Sequence, residues 1–128
     1  MSRRREIRLP SRPVLSHAAD AVQSGEFLFV AGILPVDRSG ALVGAGDTAG
    51  QARRVFGDLG EILAAGGCTF GDVAKLTVYV TDISDAGRVS AVQREAFGDT
   101  EVAGALVGVR DLAVLGATIE VDAVAVVR

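Results

Sequence analysis

The chain has 128 residues, with 13 basic and 16 acidic side chains, for a formal charge of −3 at pH 7. That length predicts one domain over residues 1–128, because two cores of about 64 residues each would be marginal. At 49% hydrophobic and 23% charged, the composition excludes disorder as the main state, and no apolar stretch reaches the ~18 residues of a membrane span.

Five of the arginines, Arg3, Arg4, Arg5, Arg8 and Arg12, fall in residues 1–12. This basic arm reads as a solvated terminus that is partly a first strand. No apolar leader follows Arg3–Arg5, so the expected location is the reducing cytoplasm. The acidic remainder argues against a broad phosphate-binding face and makes nucleic acid a disfavoured partner.

The segment Glu26 to Ile33 is short and apolar and predicts a buried strand. Asp37 to Gly40 predicts a turn. Thr48 and Gln51 have the spacing of a capping box, which would start a helix. Ala52, Val55, Phe56, Leu59, Ile62 and Leu63 then recur on one face of that helix, and Gly66–Gly67 stops it. Cys68, in the turn that follows, lacks a nearby histidine or lysine and reads as an inert thiol. With His17 the only histidine, a Cys/His zinc site is excluded. Val73 to Val80 predicts a β-branched strand. Ser84 or Asp85 caps a second helix that carries Val89, Val92, Ala96 and Phe97 on one face and ends at Gly98. Ala105 to Val109 and Ala117 to Val127 predict two more strands, the last apolar on both faces from Ala123 onward.

The expected order is strand, strand, helix, strand, helix, strand, strand. That is an α+β domain with both helices on one sheet face. The other face has no helix to cover it, and oligomerisation is the simplest remedy.

The stretches FLFVAGILPVDRSGALVGAGD, QARRVFGDLGEILAAGGCTFGDVAKLTVYVTD, EAFGD and GATIEVDAVAV together resemble the RidA/YjgF family of reactive-intermediate deaminases along nearly the whole chain. The resemblance implies a fold similar to that of a bacterial chorismate mutase, with a mixed sheet, two helices on one face and a trimeric barrel assembly. It implies ligand clefts between subunits of a homotrimer, a small-molecule ligand, and no metal or organic cofactor. The implied activity is hydrolysis of an imine or enamine to a keto acid and ammonia.

The resemblance also implies a set of site residues. Glu120 aligns with the family carboxylate that positions water, and Gly32 with a glycine whose backbone lines the cleft. Gly104 stands where the family has an arginine that holds the substrate carboxylate. Leu106 stands for a frequent cysteine, and the Ala105 region supplies backbone contacts. Ser90 takes the place of a cleft asparagine. The family's early Pro-Tyr-Ser is here Pro13-Val14-Leu15-Ser16, so the aromatic residue is absent. His17, in LSHAADAV, is a second candidate catalytic group because it titrates near neutral pH. Arg110, six residues past Gly104, would lie ~20 Å along the same strand and cannot replace the arginine within one chain.

Other readings stand beside these. Glu120 also reads as a solvated or paired strand carboxylate, His17 as a polar loop residue, and Ser90 as a helix-surface residue. For the whole protein the alternatives are a non-catalytic, metabolite-binding trimer and, disfavoured by charge, an endoribonuclease.

Overall fold

The computed structural model describes residues 3–14 and 18–128. Its strands are β1 (Arg4–Ile7), β2 (Ala21–Ser24), β3 (Phe27–Ile33), β4 (Val73–Val80), β5 (Ala103–Gly108) and β6 (Ile119–Val126). Its helices are α1 (Thr48–Ala65) and α2 (Ala86–Phe97). The strands form one mixed sheet in the order β1-β2-β3-β6-β4-β5. Only the β4–β5 pair is parallel, and α2 makes the crossover between them.

Three strands precede α1, one more than the sequence patterning indicates. β2 has only four residues, too few to display an alternation. The local signal was Gly25, whose φ of 61° lets a two-residue turn join β2 to β3 in the register Ser24↔Phe27. β5 begins at Ala103 and ends at Gly108 rather than running from Ala105 to Val109. Arg110 therefore lies beyond the strand, in the following loop, almost fully exposed and paired with Asp111 at 3.5 Å.

The core lies between the helices and one face of the sheet. Leu28, Val30 and Ile33 of β3, Leu76, Val78 and Val80 of β4, and Ile119, Val121, Ala123 and Ala125 of β6 are buried there. They meet Val55, Phe56, Leu59, Ile62 and Leu63 of α1 and Val89, Val92 and Phe97 of α2. The face of α1 expected from its periodicity is the face that is buried. The alternate residues of the central strands point the other way, where no helix lies.

Two expectations about local structure are replaced. Thr48 and Gln51 do not form a capping box. Asp47 is the N-cap, accepting from the Gly50 amide at 3.0 Å. Gln51 is fully buried and ties three segments together. Its Nε2 donates to the carbonyls of Gly44 and Gly116, and its Oε1 accepts from the Thr118 amide and hydroxyl. Thr48 bonds Thr118 and Asp85 instead.

The second correction concerns the arm. Arg12 is buried rather than solvated. It donates to Asp58 of α1 at 2.6 Å, and its Nε lies 3.7 Å from Asp20. Asp20 also accepts from the Leu9 amide at 2.7 Å. A buried arginine needs paired carboxylates, and these two clamp the chain before β2 onto α1.

Because the buried Gln51 makes four hydrogen bonds, and the Gly116 carbonyl and Thr118 amide take theirs from it, Gln51→Leu is expected to lower unfolding stability by about 2–3 kcal/mol. Urea unfolding measures this, and an unchanged midpoint would contradict the assigned role.

Candidate functional site

Glu120 sits near the start of β6 and points to the open face of the sheet, in register with Tyr79 of β4. On its other side, β3 breaks register between Val30 and Ile33. This bulge brings Gly32 against the Glu120 side chain. A Cβ at Gly32 would collide with Glu120 Oε2, so the glycine is what leaves the carboxylate its position. The two residues that the sequence assigns to water positioning and backbone lining are therefore neighbours.

Burial, and secondarily the charge of Asp122, push the Glu120 carboxyl above the ordinary glutamate range. Asp122, one pleat along the same face, accepts a hydrogen bond from the Tyr79 hydroxyl at 3.0 Å. That bond and the Asp122 charge raise the Tyr79 pKa. Tyr79 and Asp122 were not singled out from the sequence. Strand parity puts each on the open face, but only the β4–β6 register makes them adjacent.

Ser90, Gly104, Ala105 and Leu106 form a second group. Together with Gln93 and Val102 they line a cleft of about 250 Å³ between α2 and β5. Gly104 pairs with Leu76 and Leu106 with Val78, so both are on the helix-covered side of the sheet. A Cβ at Gly104 would lie 2.8 Å from the Leu76 carbonyl oxygen. The β4 backbone therefore leaves no room for a side chain at this position without a shift of one strand.

Within one chain the two groups are not brought together. Glu120 and Gly32 are on the open face, and the β5 cleft opens on the other side, with β4 between β6 and β5. His17 lies outside the described residues. Cys68 is buried, with Sγ 3.6 Å from the Val126 carbonyl oxygen. Burial raises the thiol pKa, and the charge of Asp72 adds to this, which keeps the group a thiol. Among the described residues no cluster of three His, Cys, Asp or Glu side chains is arranged to hold a metal ion.

The open face also carries exposed apolar side chains. Phe27 and Phe29 of β3 are 44% and 48% exposed, with their rings 6.3 Å apart. Val107 of β5 and Val126 of β6 are also exposed. A half-buried carboxylate set beside a glycine bulge and apolar side chains is a place where a small polar ligand can be bound and a water held.

The fold has counterparts among known proteins. A family model described as Endoribonuclease L-PSP matches residues 11–127. The chain is 36% identical over 107 residues to a RutC family protein of Pyrococcus horikoshii, covering 84% of each chain. It is 35% identical over 108 residues to the 2-iminobutanoate/2-iminopropanoate deaminase of Rattus norvegicus, covering 84% of this chain and 78% of that one. Among solved structures, the YjgF gene product of E. coli is similar with a TM-score of 0.87 and 29% identity, covering 97% of this chain and 99% of that one. The chain belongs to the Endoribonuclease L-PSP family, which is the RidA/YjgF family.

The raised Glu120 pKa has a consequence for stability. A carboxyl whose folded pKa lies above its unfolded value stabilises the fold fully only below the unfolded pKa. That contribution is lost as pH rises through the folded value. At pH 7 the ionised group facing Asp122 is thus a net cost. Glu120→Gln is expected to raise Tm at pH 7 relative to the parent, with the advantage shrinking as pH falls through the raised Glu120 pKa and gone once pH is below the ordinary glutamate value. Paired thermal melts from pH 4 to 8 read this, and a pH-independent difference would refute it.

Proposed function

We propose that this protein is a hydrolase of small imines or enamines, acting in clefts between the subunits of a homotrimer. The observation that carries the proposal is the Glu120–Gly32 pair: a carboxylate of raised pKa held in an apolar face by a glycine with no room for a side chain. The deaminase relatives at about one-third identity support the same chemistry.

The uncovered face supports the assembly. Phe27, Phe29, Val107 and Val126 are too many large apolar groups on one face to leave in water. In the proposed assembly the β5 edge of a neighbouring subunit, with Ser90, Gly104, Ala105 and Leu106, meets the rim of this face beside Glu120. Neither half of the site is complete without the other.

In the proposed reaction, a water held by Glu120 attacks the imine carbon. Glu120 accepts the water proton as the C–O bond forms and the C=N π pair moves to nitrogen. Glu120 returns that proton to the nitrogen to complete the carbinolamine, then carries the hydroxyl proton to the same nitrogen as the C–N bond breaks, the carbonyl forms and ammonia leaves. One imine and one water give one keto acid and one ammonia. A raised carboxyl pKa makes Glu120 a stronger base for taking the water proton than an ordinary glutamate. Gly32 and the Ala105 backbone orient the substrate. His17 is retained as a second candidate proton donor. The cytoplasm is the expected setting, where such intermediates form.

Gly104 favours a second reading, a trimer that binds a metabolite without turning it over. Losing a bidentate charge-assisted contact costs on the order of 2–4 kcal/mol, roughly 30- to 1,000-fold in affinity. The assay that separates the readings generates 2-aminoacrylate in situ and follows pyruvate release. Acceleration that Glu120→Ala abolishes is the expected result. A folded trimer that does not accelerate the reaction would leave the binding reading. Gly32→Ala is expected to lower activity at least tenfold with little change in Tm, because the flexible Glu120 end can move aside. Sedimentation equilibrium should give three protomers per particle, and a monomer would remove the intersubunit cleft.

A further inference from the structure

We infer that Arg8 provides the carboxylate anchor that Gly104 cannot, in a groove on the open face beside Gly32, and that the ligand bound there is a small α-keto or α-imino carboxylate. The inference deepens the imine reading and rests on it for the identity of the reacting group.

The groove is about 370 Å³ and is bounded by Arg4, Glu6 and Arg8 on one side and by Phe29 and Ala31 on the other, with Ala18 at its end. Ala31 is the residue before Gly32. The groove and the Glu120 carboxylate therefore meet across a single peptide unit of the β3 bulge.

The backbone sets the alignment. The Asp20 amide donates to the Ile7 carbonyl and the Ala31 amide donates to the Asp20 carbonyl, at 2.9 and 3.0 Å. These two bonds put Arg8 and Ala31 on nearly the same line across the sheet, two strand spacings or about 10 Å apart. The long arginine stem lies along such a surface with its head in the open groove. Ala18, Ala19, Ala21 and Ala31 line the space between, and side chains this small leave room for a ligand.

The guanidinium is oriented before any ligand arrives. Arg8 Nη1 donates to the Ala18 carbonyl at 3.0 Å. Its other contact is loose, with Nη2 4.0 Å from Glu6. Glu6 is bonded more closely by Arg4, at 2.9 Å, which offsets most of its charge. A guanidinium has five N–H donors in a planar fork, so Arg8 retains donors for a carboxylate. Its side chain is 49% exposed in the protomer, so its substitution removes no core contact.

The other cations near the sheet are less suited. Arg110 is outside the strand and paired with Asp111. Lys75 is on β4, across β6 from Gly32 and in register with Val124. Arg12 is buried against Asp58 and Asp20.

The test uses binding as well as turnover. The probes are 2-oxobutanoate and its uncharged amide, titrated by calorimetry into the trimer and into Arg8→Gln, Arg8→Lys and Glu120→Gln. The parent is expected to bind the keto acid about tenfold more tightly than the amide, one charge-assisted contact converted at 1.4 kcal/mol per decade. Arg8→Gln should abolish that preference, Arg8→Lys should keep part of it, and Glu120→Gln should leave it intact. In turnover, Arg8→Gln should raise KM for 2-iminobutanoate about tenfold with kcat within about threefold. A parent that binds neither probe at millimolar concentration overturns the anchor, as does an Arg8→Gln protein that still prefers the keto acid. If Glu120-dependent turnover survives with Arg8→Gln unaffected, the anchor falls and the imine reading stands. If there is no turnover but the Arg8-dependent preference is present, the imine reading falls and the anchor stands.

Discussion

Six strands and two helices cannot cover a sheet on both sides, and this shortage governs the rest of the molecule. α1 and α2 are committed to one face, where Phe56, Leu59, Ile62 and Val89 meet the inner residues of β3, β4 and β6. The inward residues of the central strands are buried to within a few per cent, while Phe27 and Phe29 on the outward side stay half exposed. A polar group on the outward side is therefore in an environment that is apolar without being closed. Glu120 and Asp122 occupy that environment, and the raised pKa of Glu120 follows from it.

Two glycines then define what each half of the candidate site can do. Gly32 is close to the Glu120 carboxylate and creates a position for it. Gly104 is close to the Leu76 carbonyl and removes a position from β5. Neither effect is about backbone freedom, since neither glycine is at positive φ. Each acts through the volume a side chain would fill. The clamp formed by Arg12, Asp20 and Asp58 complements them. It fixes the chain that enters β2, and Asp20 in turn bonds the bulge through the Ala31 amide.

Much of this was legible from the sequence, and the parts that were not have identifiable reasons. The helices were legible because a 3.6-residue repeat over α1 has few competing explanations. So was the uncovered face, because it is a matter of counting layers. The family followed from long motifs in fixed order. β2 was hidden by its shortness. The Thr48–Gln51 spacing pointed to a local cap, whereas Gln51 bonds Gly116 and Thr118, more than sixty residues away. Arg12 read as part of a basic run because nothing nearby in the chain reveals Asp58. The Tyr79–Asp122 bond, likewise, depends on register between strands forty residues apart. In each case the missing information was a long-range pairing. For His17, the sequence remains the only ground.

The tight contact at Gly104 also bears on how such a chain changes over generations. Putting arginine back at this position would first have to part β5 from β4, because its Cβ would lie 2.8 Å from a carbonyl oxygen. The cost of separating the strands comes before any new counter-charge is useful. Any side chain placed here meets that cost first, whatever charge it carries, so variation at this position is limited by strand spacing before it is limited by chemistry.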